Sequence, residues 1–355
     1  AKILAAPFSE VALFRCRYNR LGSVGVAALA TPLSTNTALI HLDLRACQCG
    51  DDGAIALLTV LRDHNRHLVR LLLSHNDLTE AVVPVLCGVV EHHPSLRQVT
   101  LSHNRIAPSR AHFADLGRAL ATNLDLQTLD LGNNPLGVEQ CFALGDALAR
   151  AAQAPVVEAL GEHSDASLYL DLELPQRRMY ALGLVLHGFP LPLCAVMNVH
   201  AIDLSGLYVH EHDLAFVIGA LSNSVLPVQM LDLSLNVVTD GIGRLLCRML
   251  RVNRQLEALK LQNLAHPGVA QWLLQGVAGN RKIGAIQLGK DTHPRVHAAL
   301  SRALEANAAF TSLWSGSGHL IHGTRLYVNG DALVVEGGRR PDGSFASGIR
   351  DYSLT

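Results

Sequence analysis

At 355 residues the chain is long enough for two or three ordinary domains, and 49% of it is hydrophobic with only 5% aromatic. A formal net charge of −1 and a pI near 7.1 exclude a global electrostatic case for nucleic acid or an anionic membrane. Seven cysteines, at 16, 47, 49, 87, 141, 194 and 247, are odd in number and follow no pairing pattern. Most occupy apolar positions, which points to reduced, buried thiols in an intracellular, cytoplasmic protein.

From Val11 onward one skeleton recurs. Apolar residues at offsets 0, 3 and 5 make a short strand with one buried face, Asn or Cys marks the turn at offset 8, and an apolar residue follows at offset 10. Its clearest copy is Leu96, Val99, Leu101, Asn104 and Ile106. The turn positions of the first run are Asn19, Cys47, Asn76, Asn104 and Asn134, in steps of 28, 29, 28 and 30. Those of the second are Leu207, Asn236, Leu264 and Asp291, in steps of 29, 28 and 27. So narrow a period is the mark of a repeat, and a solenoid overrides the length prior because it grows by stacking units. A second marker keeps phase with it: Asn36, Asn65, Asn123, Asn253, Asn280 and Asn307 each stand three residues before the first apolar position. They are expected to end helices, in the left-handed conformation that Asn tolerates.

Helical spacing follows each turn, over Asp51–Asp63, Glu80–Val90, Ala111–Leu120 and Gly137–Ala149. Residues 153–198 break the register. An insertion at 154–166 is followed by a strand-like alternation over Leu168–Pro175 and a helix over Gln176–Leu186. The insertion reads equally as a binding loop or as a drifted one. The apolar window Met179–Val199 is interrupted by Gly183, Gly188, Pro190 and Pro192, and is read as repeat rather than membrane span. The period resumes at Val199, with helices over His212–Leu221, Gly241–Arg251, Gly268–Val277 and Pro294–Glu305. Phe310 and Leu313 then predict a closing strand, Ser315–Gly318 a flexible joint, and Leu326–Val335 a hairpin turning at Asn329-Gly330. Residues 337–355 read as an extended tail.

The expected fold is therefore α/β: a solenoid of about ten strand–turn–helix units, with an inner parallel sheet and outer helices, closing on a β-hairpin and tail. The expected domains are 1–314, the solenoid, and 315–355, the hairpin and tail. The first strand is reached by Val11 with no recognisable cap, so earlier repeats or a covering partner are expected at that end.

The 27–30-residue unit, with its full helix and Asn or Cys at the turn, resembles the ribonuclease-inhibitor-like class of leucine-rich repeats over about residues 11–313. The resemblance implies a horseshoe-shaped fold and, as a common denominator, protein binding. Members of the class include nuclease inhibitors, sensor arms of nucleotide-binding immune receptors, activators of the Ran GTPase, actin pointed-end proteins and ciliary scaffold subunits. The Ran activators usually end in a strongly acidic segment, whereas this chain ends with Arg339, Arg340 and Arg350.

No catalytic loop or nucleophile elbow is present, so no enzyme activity, cofactor or metal is expected. Cys47-x-Cys49 is read as structural. His75 and His103 share the spelling Ser-His-Asn one repeat apart. They could hold a metal or sense pH, or they are idle surface histidines, about 5–10 Å apart on adjacent strands. The strand face is the natural binding surface. Its outward positions bring up a central acidic row, Asp130, Asp171, Glu173, Asp203 and Asp232, with Tyr169 and Lys260 beside it. That row either receives a basic segment of a partner or is only the habitual Leu-Asp-Leu spelling of the repeat.

The function expected is a non-catalytic interaction scaffold. It would be a subunit of a larger hetero-complex in the cytoplasm, in a cytoskeletal or ciliary setting, binding protein partners through the concave strand face and the C-terminal tail rather than nucleic acid or membrane. The alternatives are a small-GTPase regulator or the sensor arm of an immune-type receptor.

Overall fold

A three-residue strand is enough for this fold because each strand needs only one side chain inside. Leu42, Leu71, Val99 and Leu129 are the middle residues of successive strands, and all are buried. In a strand, neighbours point to opposite faces, so the residues on either side look outward. The computed structural model describes residues 10–123, 125–151, 183–185, 201–223, 226, 228–262, 267–289, 294–317, 325–329, 332–336 and 350–353.

The chain divides into two compact units, one of residues 1–195 with 212–220, the other of residues 196–211 with 221–355. The first carries a six-stranded parallel sheet in sequence order. Its strands are β1 (Leu13–Arg15), β2 (His41–Asp43), β3 (Arg70–Leu72), β4 (Gln98–Thr100), β5 (Thr128–Asp130) and β6 (Gly183–Val185). The helices α1 (Gly22–Leu33), α2 (Gly50–Asp63), α3 (Val83–His92), α4 (Arg110–Thr122) and α5 (Val138–Ala151) pack beside one another in the same order. Helix α6 (Glu211–Leu221) joins this unit, where the His212 ring nitrogen Nε2 lies 2.6 Å from the Leu136 carbonyl.

The second unit holds a four-stranded parallel sheet of β7 (Ala201–Asp203), β8 (Met230–Asp232), β9 (Ala258–Leu261) and β10 (Ala285–Leu288). Its helices are α7 (Asp240–Val252), α8 (Pro267–Ala278) and α9 (Pro294–Ser317). A separate antiparallel sheet follows, made of β11 (Arg325–Asn329), β12 (Ala332–Glu336) and β13 (Arg350–Ser353).

Three expectations change. The closing strand at Phe310 and Leu313 and the joint at Ser315 are replaced by the continuation of α9 to Ser317. Helix-forming Ala306, Ala308 and Ala309 surround Asn307, so the helix runs through the marker that stops the others. The tail contributes a third strand, since Asp351 and Tyr352 pair with Val334 and Leu333. Finally, the slot beside β5 is filled by Gly183–Val185, residues expected to be helical. The alternation over 168–175 lies outside the described residues.

The marker asparagines work differently from the expectation. Asn123 and Asn253 have extended backbones, with ψ of 115° and 135°, not left-handed ones. Their side chains carry the role. The Asn65 amide oxygen accepts the His67 and Leu68 N–H groups while its nitrogen donates to the Leu33 and Asn36 carbonyls of the preceding repeat. Asn253 and Asn280 repeat the pattern in the second unit. Each therefore stitches the entry of its own strand to the helix end of the repeat before.

In the fourth repeat His93 takes this place. Its Nδ1 accepts from the Ser95 and Leu96 N–H groups, but Nε2 is buried with no hydrogen-bond partner. Burial pushes the His93 pKa down to about 4, so the ring is neutral at pH 7. A His93→Asn variant regains an amide donor in the Asn65 manner. It is expected to be more stable than the wild type by about 1 kcal/mol, read as a raised urea midpoint.

Candidate functional site: the outward faces of the parallel strands

Strand register decides which outward side chains meet. In the first unit one row reads Leu13, His41, Arg70, Gln98, Thr128 and Gly183, and the next reads Arg15, Asp43, Leu72, Thr100, Asp130 and Val185. In the second unit the corresponding row is Asp203, Asp232, Lys260 and Gln287.

The aspartates of the Leu-Asp-Leu spelling share one local bond. Asp43, Asp130, Asp203 and Asp232 each accept the backbone N–H two residues on, at 2.9–3.3 Å, from Arg45, Gly132, Ser205 and Ser234. The carboxylate thus closes the bend that leaves the strand, which is a structural reason for the spelling.

Beyond that bond the four differ. Asp43 is buried and held by a bidentate Arg45, with Nε and Nη2 at 2.9 and 2.8 Å. That hydrogen bonding keeps its carboxyl below the usual range. Asp232 is buried and faces the Lys260 ammonium at 3.4 Å. Asp130, half-buried, lies between Thr100 and Val185 in register. Asp203 is exposed, and its hydrogen bonds with Ser205 hold it below the usual carboxylate range, so it is ionised at pH 7. The row is therefore interrupted: Asp232 is countered by Lys260, and Thr100 stands beside Asp130. Tyr169, Asp171 and Glu173 lie outside the described residues, and the strand beside β5 is not theirs.

A second row runs along the turns. Tyr18, Ala46, His75, His103 and Asn133 all have positive φ, between 54° and 61°. This is where the left-handed backbone lies, one residue before the turn Asn or Cys. The His75 and His103 rings stack at 4.2 Å between centroids and 9° between planes, closer than the sequence suggests. Burial depresses the His75 pKa most, with the neighbouring His103 and Arg45 acting in the same direction.

Behind that row the turn asparagines form an internal ladder. The Asn76 side chain bonds the Cys47 and Cys49 N–H groups and the Leu44 and Leu73 carbonyls, and Asn104 does the same for Asn76, Leu78, Leu73 and Leu101. Cys47 fills an Asn slot, its thiol donating to the Cys16 carbonyl at 3.0 Å. The six described cysteines are free thiols, and burial pushes Cys49 and Cys87 up to about 12 and about 11. Among the described residues no helix is long and apolar enough to cross a membrane.

Short parallel strands, an Asn or Cys ladder at their turns and one helix per 27–30-residue period define a leucine-rich-repeat protein, and this chain is one. A family model described as Leucine Rich repeat matches residues 35–58, which span the turn after α1, strand β2 and the first part of α2. The repeats are of the ribonuclease-inhibitor-like class. The chain is 28% identical over 186 residues to the ribonuclease inhibitor of Sus scrofa, an alignment covering 51% of this chain and 40% of that protein. It is 27% identical over 253 residues to NACHT, LRR and PYD domains-containing protein 14 of Mus musculus, covering 69% of this chain and 23% of that protein. The Homo sapiens protein of the same name is 34% identical over 131 residues, covering 37% of this chain and 12% of that protein. The chain thus spans less than half the length of each of these relatives.

Proposed function

We propose that this chain is a non-catalytic protein-binding scaffold, a subunit of a larger intracellular assembly, that engages its partners through the outward faces of its parallel strands. The observation that supports this most is the in-register array itself. Register sets His41, Arg70, Gln98 and Thr128 side by side in the first unit and Asp203, Asp232 and Lys260 in the second, while the middle residue of each strand is buried. A rigid array of that kind offers binding groups whose ordering cost is already met.

The test is affinity purification from the native source with cross-linking mass spectrometry, repeated with Asp130→Lys and Asp203→Lys. Both carboxylates reach the outer face, and neither has an ion pair among the described residues. A stoichiometric protein partner cross-linked near Lys260, and weakened at least tenfold by one of the reversals, is the expected result. A partner bound only through the outer helices would overturn it.

A second reading is the repeat arm of a larger receptor. It is supported by the relatives named for NACHT, LRR and PYD domains, of which this chain matches 23% and 12%. It predicts a longer native chain, and intact-mass measurement of the protein from its source decides it.

A further inference from the structure

The first three strands of the first unit carry charge of the opposite sign to the row expected from the sequence. Arg15 on β1 and Arg70 on β3 flank β2 on either side, and both are exposed. Arg17 follows two residues after Arg15, close enough to depress the Asp43 carboxyl. Neither Arg15, Arg17 nor Arg70 has an ion pair among the described residues, whereas Arg45 is already engaged by Asp43. The one carboxylate in the group is thus spent, and three guanidinium groups stand unneutralised on about 10 Å of sheet, two strand spacings wide.

At the centre lies His41. Its imidazole nitrogen Nε2 is buried and has no hydrogen-bond partner. Burial and the nearby Arg15, Arg70 and Arg45 all depress its pKa, with only Asp43 opposing them, so the ring is neutral at pH 7. A neutral ring in the tautomer with hydrogen on Nε2 has a donor with nothing to bond, in the middle of a cationic surface. The fold has no use for this arrangement: like charges repel, and an orphaned polar atom is a cost. An anionic ligand relieves the repulsion among the arginines, since guanidinium groups take carboxylates in paired, fork-like hydrogen bonds.

We propose that this face, Arg15, Arg17, Arg45 and Arg70 around His41, docks an acidic segment of a protein partner, rich in Asp and Glu. The inference rests on the reading of the strand face as a protein-binding surface and gives that surface a partner chemistry. A peptide is favoured over a nucleic acid because the cationic stretch is short. Next to Arg15 and Asp43 in the same row come Leu72 and Thr100, which would leave a longer polyanion unmatched.

The test uses the full chain and a fluorescein-labelled decapeptide of alternating Asp and Glu, followed by anisotropy at 50 and 150 mM salt. The wild type is expected to bind, more weakly at the higher salt. Arg15→Glu with Arg70→Glu is expected to weaken binding at least tenfold, while Arg110→Glu on the outer helix α4 leaves it unchanged. Both arginines are exposed and have no ion pair among the described residues, so the melt of the double variant should match the wild type; Arg15→Gln with Arg70→Gln gives a second, milder loss. Undiminished binding in the double reversal, or no binding by the wild type, overturns the proposal. So does a ten-residue oligothymidylate that binds more tightly than the peptide through the same arginines. A null here with a partner still cross-linked at Asp130 or Asp203 sinks the acidic-segment proposal alone. Loss of both sinks the protein-binding reading with it.

Discussion

Replacing Asn76 by Ala is expected to cost about 3–5 kcal/mol, because each buried backbone group left without its partner costs on the order of 1–3 kcal/mol. Asn76 is 0% exposed. Its oxygen accepts the Cys47 and Cys49 N–H groups at 2.9 and 3.1 Å, and its nitrogen donates to the Leu44 and Leu73 carbonyls at 2.8 and 3.0 Å. The Cys47 and Cys49 N–H groups and the Leu44 carbonyl lose this partner together inside a buried turn, while the Leu73 carbonyl keeps the Asn104 amide. Two controls bracket the effect. Asn19 is exposed, and among the described residues its side chain bonds the Cys16 and Arg17 carbonyls of its own turn, so Asn19→Ala should cost well under half as much. Asn76→Cys should fall between, since Cys47 shows that a thiol here keeps one donation to the repeat before. Urea unfolding midpoints read all three. Equal losses at Asn76 and Asn19 would mean that the ladder is not what joins the repeats.

What the sequence revealed follows the same physics. Strands and turns were readable because one side chain per strand and one per turn do the structural work, and those residues recur at fixed spacing. Leu42, Leu71, Val99 and Leu129 go inside, and Asn76, Asn104, Asn134 and Asn236 bond the strand exits. The position of the marker asparagines was also visible, but not their chemistry. Asn123 keeps an extended backbone and works through its amide. His93 escaped notice for the same reason: a search for Asn by letter cannot see that an imidazole Nδ1 accepts the same two N–H groups.

The candidate site was harder to read, because charge on a sheet depends on neighbours some 28 residues away. A single outward position suggested an acidic row, yet register puts Lys260 against Asp232 and sets Arg15 and Arg70 astride β2. The helix after Pro294 overran its marker, and β6 fell at Gly183–Val185, where local pattern suggested a helix. At the first, local alanine propensity overrides the repeat period; at the second, pairing with β5 overrides the local pattern.

A second large effect is expected at Asp213, in the first turn of α6. A carboxylate there is ordinarily favoured by the helix N-terminus. Asp213, however, is only 6% exposed and its Oδ1 has no hydrogen-bond partner. Burial pushes its pKa up to about 7 from 3.8, and the same environment, with Asp213 beside it, raises the Cys141 thiol. The sign follows from proton binding. Below pH 3.8 the acid is protonated whether folded or unfolded, and no penalty exists. Between 3.8 and about 7 the unfolded chain releases a proton that the folded one keeps, so stability falls as pH rises. Above about 7 the loss levels off at a difference of roughly three pKa units, on the order of 4 kcal/mol. Asp213→Asn keeps the volume and cannot ionise. Its stability relative to the wild type should therefore rise by about 2–3 kcal/mol between pH 5 and pH 8, at 1.36 kcal/mol per pKa unit. The quantity to follow is that slope, from urea melts at each pH, because the buried amide carries its own pH-independent cost. A flat difference across the range would show that the folded protein has water or a partner group at Oδ1, and that Asp213 is ionised as usual.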